Sequence, residues 1–219
     1  LHLNDWHTAM IPCILDAHYR PYGLHAAVKT VLTIHNLKFQ GIHSRERIAD
    51  LLDMPDRYMN NDAILKDGMP NFLKAGIKFA DRVTTVSPTY AGEIMNDYFG
   101  EGLHLLLQSQ AHKLSGLLNG IDDEEYDPAR DPALPMQYSL KNWQEGKACC
   151  KAALQQELGL NEDSRQPLAC MITRLTDQKG VDLLLHALGS MLGGDLQVAI
   201  LGTGDARYEN ALIEQASRN

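Results

Sequence analysis

Four short segments place polar side chains where an apolar, strand-like run gives way to a helix-like one. In Thr173-Arg174-Leu175-Thr176-Asp177-Gln178-Lys179-Gly180, Arg174 and Lys179 stand five residues apart across a turn. Two cations so spaced either converge on one anion above a helix N-terminus or are simply solvated. In Leu3-Asn4-Asp5-Trp6-His7-Thr8-Ala9, the Asp5 carboxylate either faces a ligand or caps the helix that follows. Trp6 and His7 either meet a sugar face or pack. Thr33-Ile34-His35-Asn36-Leu37-Lys38-Phe39-Gln40-Gly41 ends an apolar run with His35 and Asn36. A histidine there either bonds a hydroxyl or polarises a reacting group, or it is a satisfied core residue. In Leu201-Gly202-Thr203-Gly204-Asp205, Gly202 and Gly204 allow a tight turn and close ligand approach. Arg207 stands where a dinucleotide fingerprint has its third glycine, so no dinucleotide cofactor is expected.

The elements that must position these segments alternate. Strand character falls at 31–34, 82–87, 168–172 and 196–201, in short apolar, β-branched runs. Helices are expected over 10–19, 69–79, 88–98, 142–158 and 180–192; Ser87 and Pro88 supply an N-cap and a first helical residue. Such alternation implies an α/β fold with parallel sheets, whose ligands bind beyond the carboxyl ends of the strands. The turn dipeptide Asn119-Gly120, followed by acidic residues and two Asp-Pro pairs, marks a boundary. Two sheet systems are expected, over 1–119 and 120–219.

Composition narrows the function. A formal net charge of -8 disfavours nucleic acid and anionic membranes as partners. Cys13, Cys149, Cys150 and Cys170 lack the spacing of a zinc site and fit a reducing compartment. No signal peptide, 18-residue apolar run, HExxH, GxSxG or Walker A sequence is present. The chain opens on Leu1 in a strand-like run and closes at Asn219 in a polar helix, so it reads as an internal fragment. An Asp-x-Asp pattern is also missing, which points to a metal-independent group transfer.

In this order the segments resemble the glycogen synthase and starch synthase family. The most specific stretches are Asn71-Phe72-Leu73-Lys74, the run from Phe79 to Ala91 (Phe-Ala-Asp-Arg-Val-Thr-Thr-Val-Ser-Pro-Thr-Tyr-Ala), and Gly116-Leu117-Leu118-Asn119-Gly120-Ile121-Asp122. The resemblance implies a GT-B architecture, two Rossmann-like domains with parallel sheets facing a cleft, both incomplete in this chain. Residues 1–119 would be the later part of the N-terminal, acceptor-side domain. Residues 120–219 would be the hinge and the first part of the C-terminal, nucleotide-sugar-binding domain.

The implied activity is transfer of glucose from ADP-glucose to the non-reducing end of an α-1,4-glucan with retention of configuration. ADP-glucose is a co-substrate, no metal is required, and glycogen or starch is the acceptor. By motif, Asp5 matches the family's essential aspartate and His35 the histidine contacting the transferred sugar. Arg174 and Lys179 match the pair on the donor phosphates, and Asn119 a hinge asparagine. Trp6, His7, Asn36, Gly202 and Gly204 are expected to line the substrates. A cytoplasmic location is implied for a bacterial type, a plastid for a plant parent. The sequence departs from the family at Gln110, usually arginine, and at Tyr126, usually tryptophan, and carries a longer loop around Pro21-Tyr22-Gly23. The family's glycine-rich donor loop and C-terminal glutamate motif are missing, so these residues alone are expected to be inactive. The rival readings are a GT-B glucosyltransferase with another acceptor and a non-catalytic glucan-binding protein.

Overall fold

The computed structural model describes residues 1–218; Asn219, where the expected closing helix and second domain end, lies outside them. The chain divides after Ile121 into two compact units.

The first unit runs β1 (His2–Asn4), α1 (Asp5–Thr8), α2 (Ile11–Ile14), β2 (Val31–Ile34), α3 (Arg45–Leu52), β3 (Leu65–Lys66), β4 (Met69–Pro70), α4 (Phe72–Phe79), β5 (Arg82–Thr85), α5 (Pro88–Glu93), α6 (His104–Ser109) and β6 (Leu114–Gly116). A four-stranded parallel sheet has the order β1-β2-β5-β6. Its register aligns Leu3, Leu32, Val83 and Leu114 in one row. That row packs with Leu73 and Ile77 of α4 and Leu107 of α6. Each fully buried aliphatic side chain contributes about 1.5–3 kcal/mol, which fixes the sheet to these helices. The next row is Asn4, Thr33, Thr84 and Ser115. Thr33 Oγ1 lies 2.7 Å from Thr84 Oγ1 and 2.7 Å from His2 Nε2. β2 therefore differs from the expected fully buried strand: Leu32 and Ile34 are sealed, while Val31 and Thr33 are half-buried. Alternation along a strand puts successive side chains on opposite faces.

At the amino edge of the sheet, Asp81 ties three segments together. Its carboxylate accepts from the Thr30 amide at 2.9 Å, the Thr30 hydroxyl at 3.0 Å and Lys29 Nζ at 3.1 Å, with Arg20 at 3.6 Å.

Three expected helices differ. Residues 69–70 form β4, paired antiparallel with β3 across Asp67 and Gly68, which have φ 54° and 78°. Two left-handed residues give the turn that matches strand twist. Helix α4 then starts at Phe72, because Asn71 Oδ1 accepts the Lys74 amide hydrogen at 2.8 Å. The helix over 88–98 ends at Glu93. The helix over 10–19 is α2 followed by a π-helical turn, Leu15–Tyr19. Cys13 is buried there, and burial, with Asp16 nearby, pushes its thiol up to about 12.

The second unit contains α7 (Trp143–Glu157), β7 (Leu168–Ile172), α8 (Val181–Leu192), β8 (Gln197–Leu201) and α9 (Ala206–Arg218). β7 and β8 pair in parallel from Leu168–Gln197 to Ile172–Leu201, with α8 as the crossover. Leu175, Val181, Leu188, Tyr208 and Leu212 form its buried core. Among the described residues, no helix is long and apolar enough to cross a membrane.

Candidate functional site

In the first unit the candidate residues gather at the carboxyl ends of β1 and β2. Asp5 follows β1 directly and has φ 53°. A left-handed backbone costs a residue other than glycine about 1–2 kcal/mol, with aspartate among the types that visit it routinely. The conformation is held by the carboxylate: Oδ1 accepts the His35 amide hydrogen at 2.8 Å and the Asn36 amide hydrogen at 3.4 Å. Asp5 is therefore not the cap of α1; Asn4 occupies that position and makes no side-chain capping bond.

His35 is exposed, so it is not a core histidine. Its Nε2 lies 2.9 Å from Asn4 Oδ1. An amide oxygen only accepts, so Nε2 is the donor in this contact. The loop beyond is fixed at three points. Lys38 N donates to Asn36 Oδ1 at 3.0 Å, Leu37 N donates to Tyr90 Oη at 3.2 Å, and the Leu37 side chain is fully buried. Burial pushes the Tyr90 phenol up, which keeps it neutral beside that amide.

Trp6 and His7 flank this cluster. Their rings stack at 4.1 Å. Trp6 is half-buried against Gly41, where a Cβ would sit 2.8 Å from Trp6 Cδ2, and beside His43 and Phe72. Packing therefore fixes its ring, whereas His7 is exposed. Asn119 is exposed beyond β6, at the same edge of the sheet, and has no hydrogen bond to Asp5, His35 or Asn36 among the described residues.

In the second unit the loops that follow β7 and β8 run side by side. Thr173 N donates to Leu201 O at 3.1 Å, Leu175 N to Thr203 O at 2.9 Å, and Asp205 N to Leu175 O at 2.9 Å. A Cβ on Gly202 would overlap the Thr173 carbonyl oxygen, and one on Gly204 would lie 2.7 Å from the Leu175 carbonyl carbon. The close approach these glycines allow is thus to the chain's own neighbouring loop. Arg174 sits between the two bonded residues of this seam and is exposed. Lys179 ends the 3-10 turn Asp177–Lys179, after which Gly180 at φ 69° starts α8 on the buried Val181. Neither cation makes an ion pair or side-chain hydrogen bond among the described residues. Exposed cations on a braced backbone suit an anion that arrives from solution.

Within the first unit Asp5, His35 and Asn36 thus form one hydrogen-bonded cluster; within the second, Arg174, Lys179, Gly202 and Gly204 lie on one loop pair. Two further residues serve the cluster: Asn4, whose side chain meets the His35 ring, and Tyr90, which holds the following loop. Asn4 had one signal, its place as the last residue of a strand. Tyr90 had its place in the Phe79–Ala91 run, which does not show that it reaches this loop from α5.

The chain is similar to known proteins in both sequence and fold. The family model described as the starch synthase catalytic domain matches residues 1–109. The glycogen synthase of Anaeromyxobacter sp. (strain Fw109-5) is 48% identical over 216 residues, which cover 99% of this chain and 45% of that protein. The glycogen synthase of Lachnospira eligens is 42% identical over 210 residues, covering 96% and 44%. Among solved structures, the catalytic domain of starch synthase IV from Arabidopsis thaliana, bound to ADP and acarbose, matches with a TM-score of 0.89 at 35% identity, covering 99% of this chain and 44% of that one. The chain therefore spans less than half the length of these relatives. With its parallel sheets, it has the α/β, GT-B fold class.

Proposed function

The chain belongs to the glycogen synthase and starch synthase family, and from that premise we propose that the protein carrying it transfers glucose from ADP-glucose to the non-reducing end of an α-1,4-glucan with retention of configuration. The observation that carries the proposal is the pair of exposed cations Arg174 and Lys179 on the braced connection after β7, unpaired among the described residues. Glycosyl transfer expels a diphosphate whose charge grows in the transition state, and fixed cations stabilise it there. Bound ADP in the Arabidopsis neighbour supports a nucleotide-sugar donor, and its bound acarbose supports a saccharide at the acceptor side.

Each unit has its own part. Arg174 and Lys179 hold the donor diphosphate. Asp5, His35 and Asn36 address the glucose, with Trp6 and His7 beside them and Asn119 at the hinge. The acceptor hydroxyl attacks from the face the diphosphate leaves, and the leaving phosphate takes its proton. Exclusion of water protects the donor from hydrolysis. No metal takes part. The partners are ADP-glucose and the glucan, not nucleic acid or membrane. Glucose transfer to glycogen by the full-length protein tests the proposal, with ADP-glucose and UDP-glucose compared. Transfer from ADP-glucose supports it; no transfer from either donor by folded protein overturns it.

A further inference from the structure

Arg207 occupies the place of a missing third glycine in the loop after β8, and nothing in the proposed chemistry uses it. Its side chain is spent on a neighbour. Arg207 Nη2 donates to Asp177 Oδ1 at 2.6 Å, and the Tyr208 hydroxyl donates to the same oxygen. The Arg207 guanidinium lies over the Tyr208 ring, 4.5 Å from its centroid, and Asp205 Oδ2 approaches it at 3.8 Å. The hydrogen bond to Asp177, with burial, pushes the Tyr208 phenol up, so it stays a donor near neutral pH. Asp177 is the first residue of the turn that ends in Lys179.

The turn is thereby tied at both ends. On one side Leu175 is buried and hydrogen-bonded to Thr203 and Asp205. On the other, Val181, the first residue of α8, is buried. Between them, Asp177 is the point where a side chain ties the turn to α9. Glu209 braces the same corner, its Oε1 accepting the Gly204 amide hydrogen at 2.7 Å.

We propose that Asp177, clamped by Arg207 and Tyr208, is a positioning residue that fixes the turn presenting Lys179 to the donor diphosphate. The inference rests on the donor-phosphate role proposed for Lys179. An exposed ion pair contributes little to stability, and here both partners are more than half exposed. Its effect belongs to the orientation of the turn, where a group displaced by about 1 Å loses much of its grip on a ligand.

Charge and clamping predict opposite signs, which makes the proposal testable. Removing a carboxylate two residues from a cation that binds phosphate tightens anion binding by Coulomb attraction alone. A clamp predicts that the same change weakens it. The experiment is calorimetric titration of the full-length protein with ADP, for wild type, Asp177→Asn, Tyr208→Phe, Lys179→Ala and the double variant Asp177→Asn with Lys179→Ala.

The expected result is about fivefold weaker binding in Asp177→Asn, and about two- to threefold in Tyr208→Phe, which changes no charge. The double variant should bind no more weakly than Lys179→Ala alone, because the clamp acts through that lysine. The Asp177→Asn defect should shrink as salt screens the exposed pair in the wild type. Unchanged or tighter binding in Asp177→Asn overturns the proposal, as does a double variant whose losses multiply. Wild-type affinity in Lys179→Ala sinks the donor-phosphate role itself, and the clamp's purpose with it. Tyr208→Phe keeps the buried ring, so it serves if Asp177→Asn does not fold.

Discussion

The Asp5 carboxylate accepts the main-chain hydrogen of His35 at 2.8 Å, joining the ends of two adjacent parallel strands. The bond holds Asp5 in its left-handed conformation and fixes where His35 leaves the sheet. Asp5→Asn keeps an acceptor oxygen and a residue tolerant of positive φ. The variant should fold with a melting temperature within a few degrees of wild type. Its glucose transfer in the full-length protein should fall by about 100-fold or more, as expected for loss of a charge at the reacting centre. Thermal melts alongside initial rates separate the two effects.

Asn4 Oδ1 meets the His35 ring at 2.9 Å, its one side-chain hydrogen bond among the described residues. Asn4→Ala should lower the transfer rate about tenfold, less than His35→Ala, because the ring remains but is no longer oriented. ADP affinity should be unchanged in both, since the donor diphosphate is assigned to the other unit. Rates and ADP titrations on the same preparations check this.

Acid stability should report Asp81. Burial alone would raise its pKa, but the Thr30 amide and hydroxyl together with Lys29 outweigh that and hold it down to about 2. A carboxyl depressed in the folded state stabilises the protein above its unfolded pKa, and this contribution is lost as pH falls towards the folded value. Wild type should therefore lose stability between about pH 4 and pH 2. Asp81→Asn should be about 2 kcal/mol less stable at neutral pH and show a flatter acid limb. Denaturant midpoints measured across that range decide it.

Two glycine-to-alanine changes should move stability in opposite directions. A Cβ at Gly204 would lie 2.7 Å from the Leu175 carbonyl carbon, so Gly204→Ala must pull the two loops apart and should cost about 2 kcal/mol or more. Gly189 lies within α8 with nothing within 4 Å of its added Cβ. Gly189→Ala should stabilise by about 0.5–1 kcal/mol through helix propensity. Urea melts of both variants test the pair.

What could be read in the sequence follows from how local each signal is. β7, β8 and the start of α5 were legible because an apolar run or a Ser-Pro cap needs no distant partner. The β3–β4 hairpin was passed over although Asp67-Gly68 carries a turn signal, because the apolar residues of 69–79 also suit a helix. α3 and α6 were not foreseen either. Asp5 could not be resolved from sequence, since the choice between cap and ligand-facing carboxylate depends on the end of β2, thirty residues away. The glycines of the β8 loop looked like room for a ligand; the room is filled by Thr173 and Leu175.

The most direct test is glucose transfer to glycogen by the full-length protein, wild type beside Lys179→Ala, with ADP-glucose and UDP-glucose in parallel. Lys179 is exposed and, among the described residues, unpaired, so its loss should not unfold the chain. Transfer from ADP-glucose that falls at least about 100-fold in the variant, with the melting temperature unchanged, is the predicted result. Equal transfer by the two proteins, or none from either donor by folded wild type that still binds glycogen, contradicts it.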